Sequence, residues 1–242
     1  MRPYGERTYR NRVHAKDLVS FRLVVKETDL WVSAGKKLEK ETRDAIFDAR
    51  HQLETYIHSH PGFVTSLLPC EEDSLAPSLV REMIEATKVA GVGPMASVAG
   101  AIAQHVGRDL LKLTDQVIVE NGGDIFMKVG RDATVSIFAG TSPLSEKIGL
   151  LIHVPQMPLG ICSSSGTVGH SLSAGITDVV CILSYSAALA DGAATALGNR
   201  VKRIADLEKV AEWAGLIDGI LGGVVIVRDR MAAWGDIELV GL

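Results

Sequence analysis

The sequence predicts an α+β fold with helices packed on antiparallel sheets, and three observations carry that expectation. A pair of alternating segments at 19–34 is followed by a long stretch of helical spacing with no strand pattern. Short strand-like runs then cluster between 117 and 184, and two more close the chain after a second helical stretch. Helices are thus grouped apart from runs of strands, unlike the strict alternation of a doubly wound α/β sheet.

The elements follow in order. Residues 19–34, "VSFRLVVKETDLWVSA", alternate well enough for two strands joined by a turn near Glu27 to Asp29. Ile46, Ala49, Leu53 and Ile57 share one face of a helix expected over 36–58, which Pro61-Gly62 stops. A loop over 69–77 leads to a second helix with Val80, Met83, Ile84 and Thr87 on one mostly apolar face and Gly91 closing it. The third helix, "ASVAGAIAQHVGRDLLKL", begins after Pro94, and its small residues imply a neighbour lying close against its first turns. "VIVENGGDIFMKV" reads as a hairpin turning at Asn121 to Gly123. Strands fit "ATVSIFA", "GLLIHV" and "TDVVCILS". An Ala-rich helix follows around "LADGAATALGNRV", then a helix over 205–216 and strands at 224–227 and 237–240. No internal repeat, low-complexity tract or linker interrupts the chain, so 1–242 is expected to form a single domain.

Composition narrows the function classes. With 47% hydrophobic residues over 242 positions the chain has enough apolar surface to bury a core. Its net charge of -4 gives no basic bias and so no support for nucleic acid as a partner. Cys70, Cys162 and Cys181 lie far apart without CxxC spacing, as expected in a reducing compartment, and each reads first as a small buried side chain. The basic N-terminus lacks the apolar core of a signal peptide, and the longest apolar run, "GILGGVVIV", is too short to span a bilayer. A cytoplasmic protein with no membrane partner is expected.

Several segments have the residue types for ligand chemistry, each beside a plainer reading. Asp191 stands in a run of alanine and glycine with no Lys or Arg within a helical turn, a costly place for a carboxylate unless something pairs with it. Thr195 lies four residues on, one turn along the same face, so the two can point at one hard cation such as Mg²⁺. Alternatively, Asp191 caps its own helix start and Thr195 bonds back to a carbonyl. "ENGGDIF" is a hairpin turn whose second glycine exceeds what the turn needs and lets backbone N–H groups approach a phosphate or flavin edge. "SSSGT", 163–167, offers hydroxyl donors and a glycine in the same way. Gly91, Gly93 and Gly100 do not make a dinucleotide fingerprint, because a helix rather than a strand precedes them. His51, His58 and His60 form a histidine cluster, read as a solvated helix surface rather than a zinc site. P-loop, G-x-S-x-G and H-E-x-x-H signatures are absent.

In order along the chain, these segments resemble the ApbE superfamily, flavin transferases that move FMN from FAD onto a protein threonine with Mg²⁺. "AGAIAQHVGRDLL" is similar to that family's "GAIAKGYAVD" helix, "ENGGDIF" to its Gly-Gly-Asp segment, "SSSGT" to its Thr-Ser-Gly loop, and "SAALADGAATAL" to its "ALADALATAL". Over its length the chain looks like a smaller branch of that superfamily. The resemblance implies a T-fold type architecture and a metal held by Asp191, Thr195 and the carbonyl of Ala101. It likewise implies a flavin nucleotide held by Asn121, Gly122, Gly123, Asp124, Ser164, Ser165, Gly166 and Thr167, and a protein acceptor.

The departures bear on catalysis. Gln104 stands where the family has the lysine of "GAIAKG", and Val98 where it has an acid. The family's Met-Gly-Thr motif and "HIIDP" loop are missing, and His170 in "GTVGHSLSAG" is the residue nearest in order to the loop's histidine. Two functions are therefore expected from the resemblance. One is an FAD- or FMN-binding protein with a Mg²⁺-dependent site and transferase or FAD-cleaving chemistry, with His170 as the base. The other is a non-catalytic flavin-binding or scaffold protein accessory to anaerobic sulfur assimilation, in which Cys162 beside "SSSG" is the residue of interest.

Overall fold

The computed structural model describes residues 17–166 and 175–242. β1 (Val19–Val25) and β2 (Thr28–Ala34) pair antiparallel, Val25 opposite Thr28, around a turn at Lys26 and Glu27. Three helices follow: α1 (Glu39–Ser59), the one-turn α2 (Gly62–Thr65) and α3 (Ser78–Ala90). Gly91 ends α3 in the left-handed conformation at φ 75°, and its N–H bonds the carbonyl of Thr87, the role expected of a C-terminal glycine. A 3-10 turn, Pro94–Ser97, then leads into α4 (Val98–Leu110).

β3 (Val117–Asn121) and β4 (Asp124–Lys128) make the next hairpin, and β5 (Ala133–Ser136) and β6 (Ile148–Ile152) leave the main sheet to form a second one. β7 (Leu159–Ser164), β8 (Val179–Ser184), α5 (Ala187–Arg200), α6 (Val210–Ala214), β9 (Ile220–Val227), β10 (Arg230–Gly235) and β11 (Glu238–Gly241) complete the chain. The large sheet runs β1-β2-β3-β4-β7-β8-β9-β10 with every neighbour antiparallel, and the small sheet runs β11-β6-β5. The eight strands fall into two tandem units of hairpin, helical insertion and hairpin, joined where β4 pairs β7. The residues of the two units show no repeat, so this repetition is one of topology alone.

Alternation along the strands sends side chains to two cores. On β8, Val180 and Ile182 join the helices, while Val179, Cys181 and Leu183 join the small sheet. On β9, Val225 and Val227 face the helices while Val224 and Ile226 face away. This is the period of two that a sheet covered on both faces requires. α5 is buried nearly all round, from Ala187 to Gly198, with only Thr195 less so. That explains its run of alanine and glycine: a helix set between a sheet and two other helices has no polar face to spare.

The α+β class and the packing of helices on antiparallel sheets are as expected. Several elements differ, and the first of them, β7, is not among the expected strands. Ser163 and Ser164 of "SSSGT" are the last residues of β7 rather than a loop. The helix expected over 205–216 is a 3-10 segment, Ile204–Lys209, followed by the short α6. β10 has no sequence counterpart: "RMAAWG" lies at the sheet edge with only Ala232 and Trp234 half-buried, and it contains no β-branched residue. Among the described residues, no single helix is long and apolar enough to cross a membrane.

Candidate functional site at the crossing of two helices

The site begins with a missing cap. The first N–H groups of a helix have no partner within it, and the residue preceding α4 is the usual supplier. Here that residue, Ser97, turns its hydroxyl to the carbonyl of Pro94 and provides no side-chain cap. Asp191, in the second turn of α5, takes over: its Oδ2 accepts the N–H of Gly100 at 2.9 Å, and the carboxylate also accepts from Ala99. α5 has its own cap, since Ser186 Oγ accepts the N–H of Leu189 at 3.2 Å. The structure thus corrects the expectation that Asp191 caps its own helix start, because the helix it caps is α4.

Glycines make the approach possible. A Cβ at Gly100 would collide with the carbonyl of Ala187 and lie 2.9 Å from the Asp191 Cβ. One at Gly160, on β7, would strike Ala187 as well. The first turn of α5 is therefore wedged between α4 and the sheet, as the small residues of the third helix implied.

Asp124 approaches from the sheet. It opens β4 on the same face as Phe126, toward the helices, and its Oδ1 accepts the N–H of Ser163 at 3.2 Å. Cys162 is fully buried beside it: its thiol donates to the carbonyl of Ala187 at 3.2 Å and is hydrogen-bonded to Asp124. Burial, and then the Asp124 charge, push that thiol well above its usual range, so it stays protonated. Asn121 ties the hairpin to α4, its Nδ2 donating to the carbonyl of Ala99 at 3.1 Å.

The electrostatics of the two carboxylates are unusual. Asp124 and Asp191 are 6% and 8% exposed. Burial raises the Asp191 carboxyl to about 7 against the opposing N–H bonds of Gly100 and Ala99. Asp124 is raised well above the normal carboxylate range, first by burial and then by the charge of Asp191, with Glu120 adding to it. Among the described residues, no Lys or Arg acts on either group. Two buried acids that repel each other without a basic partner are an expensive arrangement unless a proton or a cation stands with them.

The remaining predicted residues divide. Gly122 and Gly123 both have positive φ, 71° and 116°, so both are central residues of a two-residue turn of the kind that needs them. The second glycine is not surplus, and its N–H bonds Glu120 Oε1 at 3.0 Å. A Cβ at Gly123 would nevertheless meet nothing within 4 Å, so the turn has open space over it. Ser164 is buried with its hydroxyl unpartnered among the described residues. Ser165 is half-buried, and Gly166 is exposed, with its N–H on the Thr177 carbonyl at 3.0 Å. Ala101 is buried in the first turn of α4 and Thr195 half-buried on α5. Thr167 and His170 lie outside the described residues. His60 stacks on Tyr56 at 4.1 Å, and among the described residues no group of three or more His, Cys, Asp or Glu is arranged to hold a metal. Gln104, in the sequence no more than a departure from the "GAIAKG" segment, belongs to the site: fully buried, it accepts the N–H of Ala187 at 2.7 Å.

Known proteins share this architecture and much of this sequence. A family model described as "AbpE bacteria" matches residues 10–217. The UPF0280 protein MJ1526 of Methanocaldococcus jannaschii is 38% identical over 226 residues, covering 90% of this chain and 92% of that protein. A UPF0280 protein of Methanococcus maripaludis is 41% identical over 207 residues, covering 82% and 84%. Among solved structures, the flavinyl transferase ApbE of Pseudomonas stutzeri superposes with a TM-score of 0.59 at 14% identity, over 90% of this chain and 94% of that one. The flavin transferase ApbE of Vibrio cholerae gives 0.59 at 14% identity, over 90% and 96%. The fold is that of the ApbE structures, and the chain belongs to the family described as "AbpE bacteria", an ApbE-like branch shared with archaeal UPF0280 proteins.

Proposed function

We propose that this protein binds a flavin nucleotide, FAD in the first instance, together with Mg²⁺, where α4, α5 and the β3–β4 hairpin meet. The observation that carries the reading is the pair of buried carboxylates, Asp124 and Asp191, with no basic residue among the described residues to relieve them. A divalent cation removes that repulsion directly. The donor set fits Mg²⁺ rather than a metal that wants several side-chain ligands. Asp191 would hold it with the Thr195 hydroxyl and the Ala101 carbonyl, leaving further positions for water and phosphate oxygens. When bound, the ion would neutralise the diphosphate and polarise its bridging oxygen.

The chain's own residues would hold the nucleotide. Asn121, Gly122, Gly123 and Asp124 present a hairpin with open space above Gly123. Ser164 offers a buried hydroxyl without a partner among the described residues, followed by Ser165, Gly166 and Thr167. The reaction class that goes with such a site is FMN transfer to a protein hydroxyl, or FAD cleavage, with His170 as the group that would take the proton. One feature favours binding over transfer. At the position of the family's lysine stands Gln104, an uncharged amide with both ends engaged inside the protein, so it brings no positive charge to a phosphate. This supports the second reading, a flavin-binding accessory without rapid turnover.

The test is thermal unfolding with FAD and Mg²⁺ added singly and together. A ligand selective for the folded state raises stability by RT ln(1 + [L]/Kd), so a rise with FAD that grows with Mg²⁺ is expected. Melting unmoved by saturating amounts of both would sink the proposal.

A further inference from the structure

We infer that Gln104 is the positioning residue of this site: its buried amide and the Asp191 carboxylate form a reciprocal latch through which α4 and α5 each cap the other's first turn. The geometry is a closed square. Gly100 and Gln104 are one turn apart on α4, and Ala187 and Asp191 are one turn apart on α5. Asp191 accepts the N–H of Gly100 at 2.9 Å, and Gln104 Oε1 accepts the N–H of Ala187 at 2.7 Å. Both donors belong to the set that a helix leaves unpaired at its start. Neither is served by the local cap: Ser97 bonds Pro94, and Ser186 takes Leu189.

The other end of the Gln104 amide fixes its orientation. Nε2 donates to Glu82 Oε1 at 2.7 Å, and the same oxygen accepts Arg108 Nη1 at 2.6 Å. Position 104 therefore needs an acceptor toward α5 and a donor toward α3 on one side chain. Glutamine has both, lysine only donors and glutamate only acceptors. A lysine here would face the Ala187 N–H with another N–H. The amide thus serves the crossing itself, and it holds α5 in the register that places the Asp191 carboxylate at the head of α4. That this carboxylate faces a cation rests on the function proposed above, whereas the latch does not.

The experiment compares amide hydrogen exchange by NMR in the full chain and in three variants. Gln104→Met keeps the length and removes both polar ends. Gln104→Glu supplies an acceptor but opposes Glu82. The pair Gln104→Glu with Glu82→Gln exchanges donor and acceptor while keeping both bonds and the net charge. Gln104→Met should speed exchange at Ala187 by roughly three- to tenfold, the worth of one hydrogen bond. The same loss should appear at Ala99 and Gly100, whose acceptor is untouched. Gln104→Glu alone should not restore protection, and the exchanged pair should. If Gln104→Met does not fold, the exchanged pair against Gln104→Glu decides the matter. Unchanged protection at Ala99 and Gly100 in Gln104→Met, or failure of the pair to recover, overturns the latch, since a side chain that merely filled space would behave so. Mn²⁺ affinity, followed by electron paramagnetic resonance in the same variants, separates the two ideas. Affinity that falls in Gln104→Met and recovers in the pair supports the positioning of Asp191 for a cation. Absence of Mn²⁺ binding in the wild type, with the exchange pattern intact, supports the latch and overturns the metal reading alone.

Discussion

Asp191→Asn in the metal-free protein isolates the consequence of burying this carboxylate. The folded group titrates at about 7 because burial disfavours its charge, against an ordinary value of 3.8. Between those values the folded chain holds a proton that the unfolded chain has released, so stability falls as pH rises. Below about pH 4 both states are protonated and nothing is lost; above about pH 7 the loss is complete. At about 1.4 kcal/mol per pH unit, the interval from 3.8 to about 7 amounts to a loss on the order of 4 kcal/mol. That is a large share of a typical total of about 5–15 kcal/mol. Asp124, raised by burial and by the Asp191 charge, adds in the same direction. Asparagine retains an oxygen to accept from Gly100 and Ala99, removes the charge and relieves Asp124. Urea unfolding with a chelator present, from about pH 5 to about pH 8, should show the wild type losing stability steadily and the variant much less. The variant should be the more stable of the two at the alkaline end. Parallel pH profiles for the two proteins would refute the reasoning.

Other outcomes follow from the same packing. Gly100→Ala should destabilise by about 1–3 kcal/mol or more, because the new methyl meets the Ala187 carbonyl and the Asp191 Cβ; chemical unfolding measures it, and a neutral result would mean the helices are not in close contact there. Phe126→Ala, at a side chain 2% exposed and pressed against Gly107, should cost about 3–5 kcal/mol in the same assay. Asp191→Ala should abolish any stabilisation by Mg²⁺ in a thermal melt, and a Mg²⁺ effect surviving that change would place the ion elsewhere. Flavin transfer to a threonine peptide should be slow beside binding, since the "HIIDP" loop is missing and a reaction without that loop's base loses about 10² to 10⁴-fold in rate. Rapid flavinylation abolished by His170→Ala would contradict this.

The grouping of helices and strands was legible because it rests on local periodicity. α1, α3, α4 and the β3–β4 hairpin all lie where apolar spacing and Pro or Gly punctuation put them. β7 was hidden because Gly160, needed for the approach of Ala187, and the serines after Cys162 break the apolar run of a central strand. The site shows the same limit. Asp191 was conspicuous because a lone acid in an alanine-rich helix contradicts its surroundings. Its partner was not, because the orphan N–H groups it caps lie ninety-one residues away in sequence. Gln104 carried a signal only by comparison with the lysine of the "GAIAKG" segment in the ApbE superfamily that the sequence resembles. Its meaning needed the Ala187 N–H and Glu82 to be placed around it.

The most direct test of the central claim is a calorimetric titration of FAD into the purified chain, with Mg²⁺ and with chelator, for the wild type and for Asp191→Asn. Saturable binding to the wild type that weakens sharply without Mg²⁺ is expected, with binding to the variant weak and indifferent to Mg²⁺. No heat of binding to a folded wild type with Mg²⁺ present, or equal affinity in all four titrations, would contradict it.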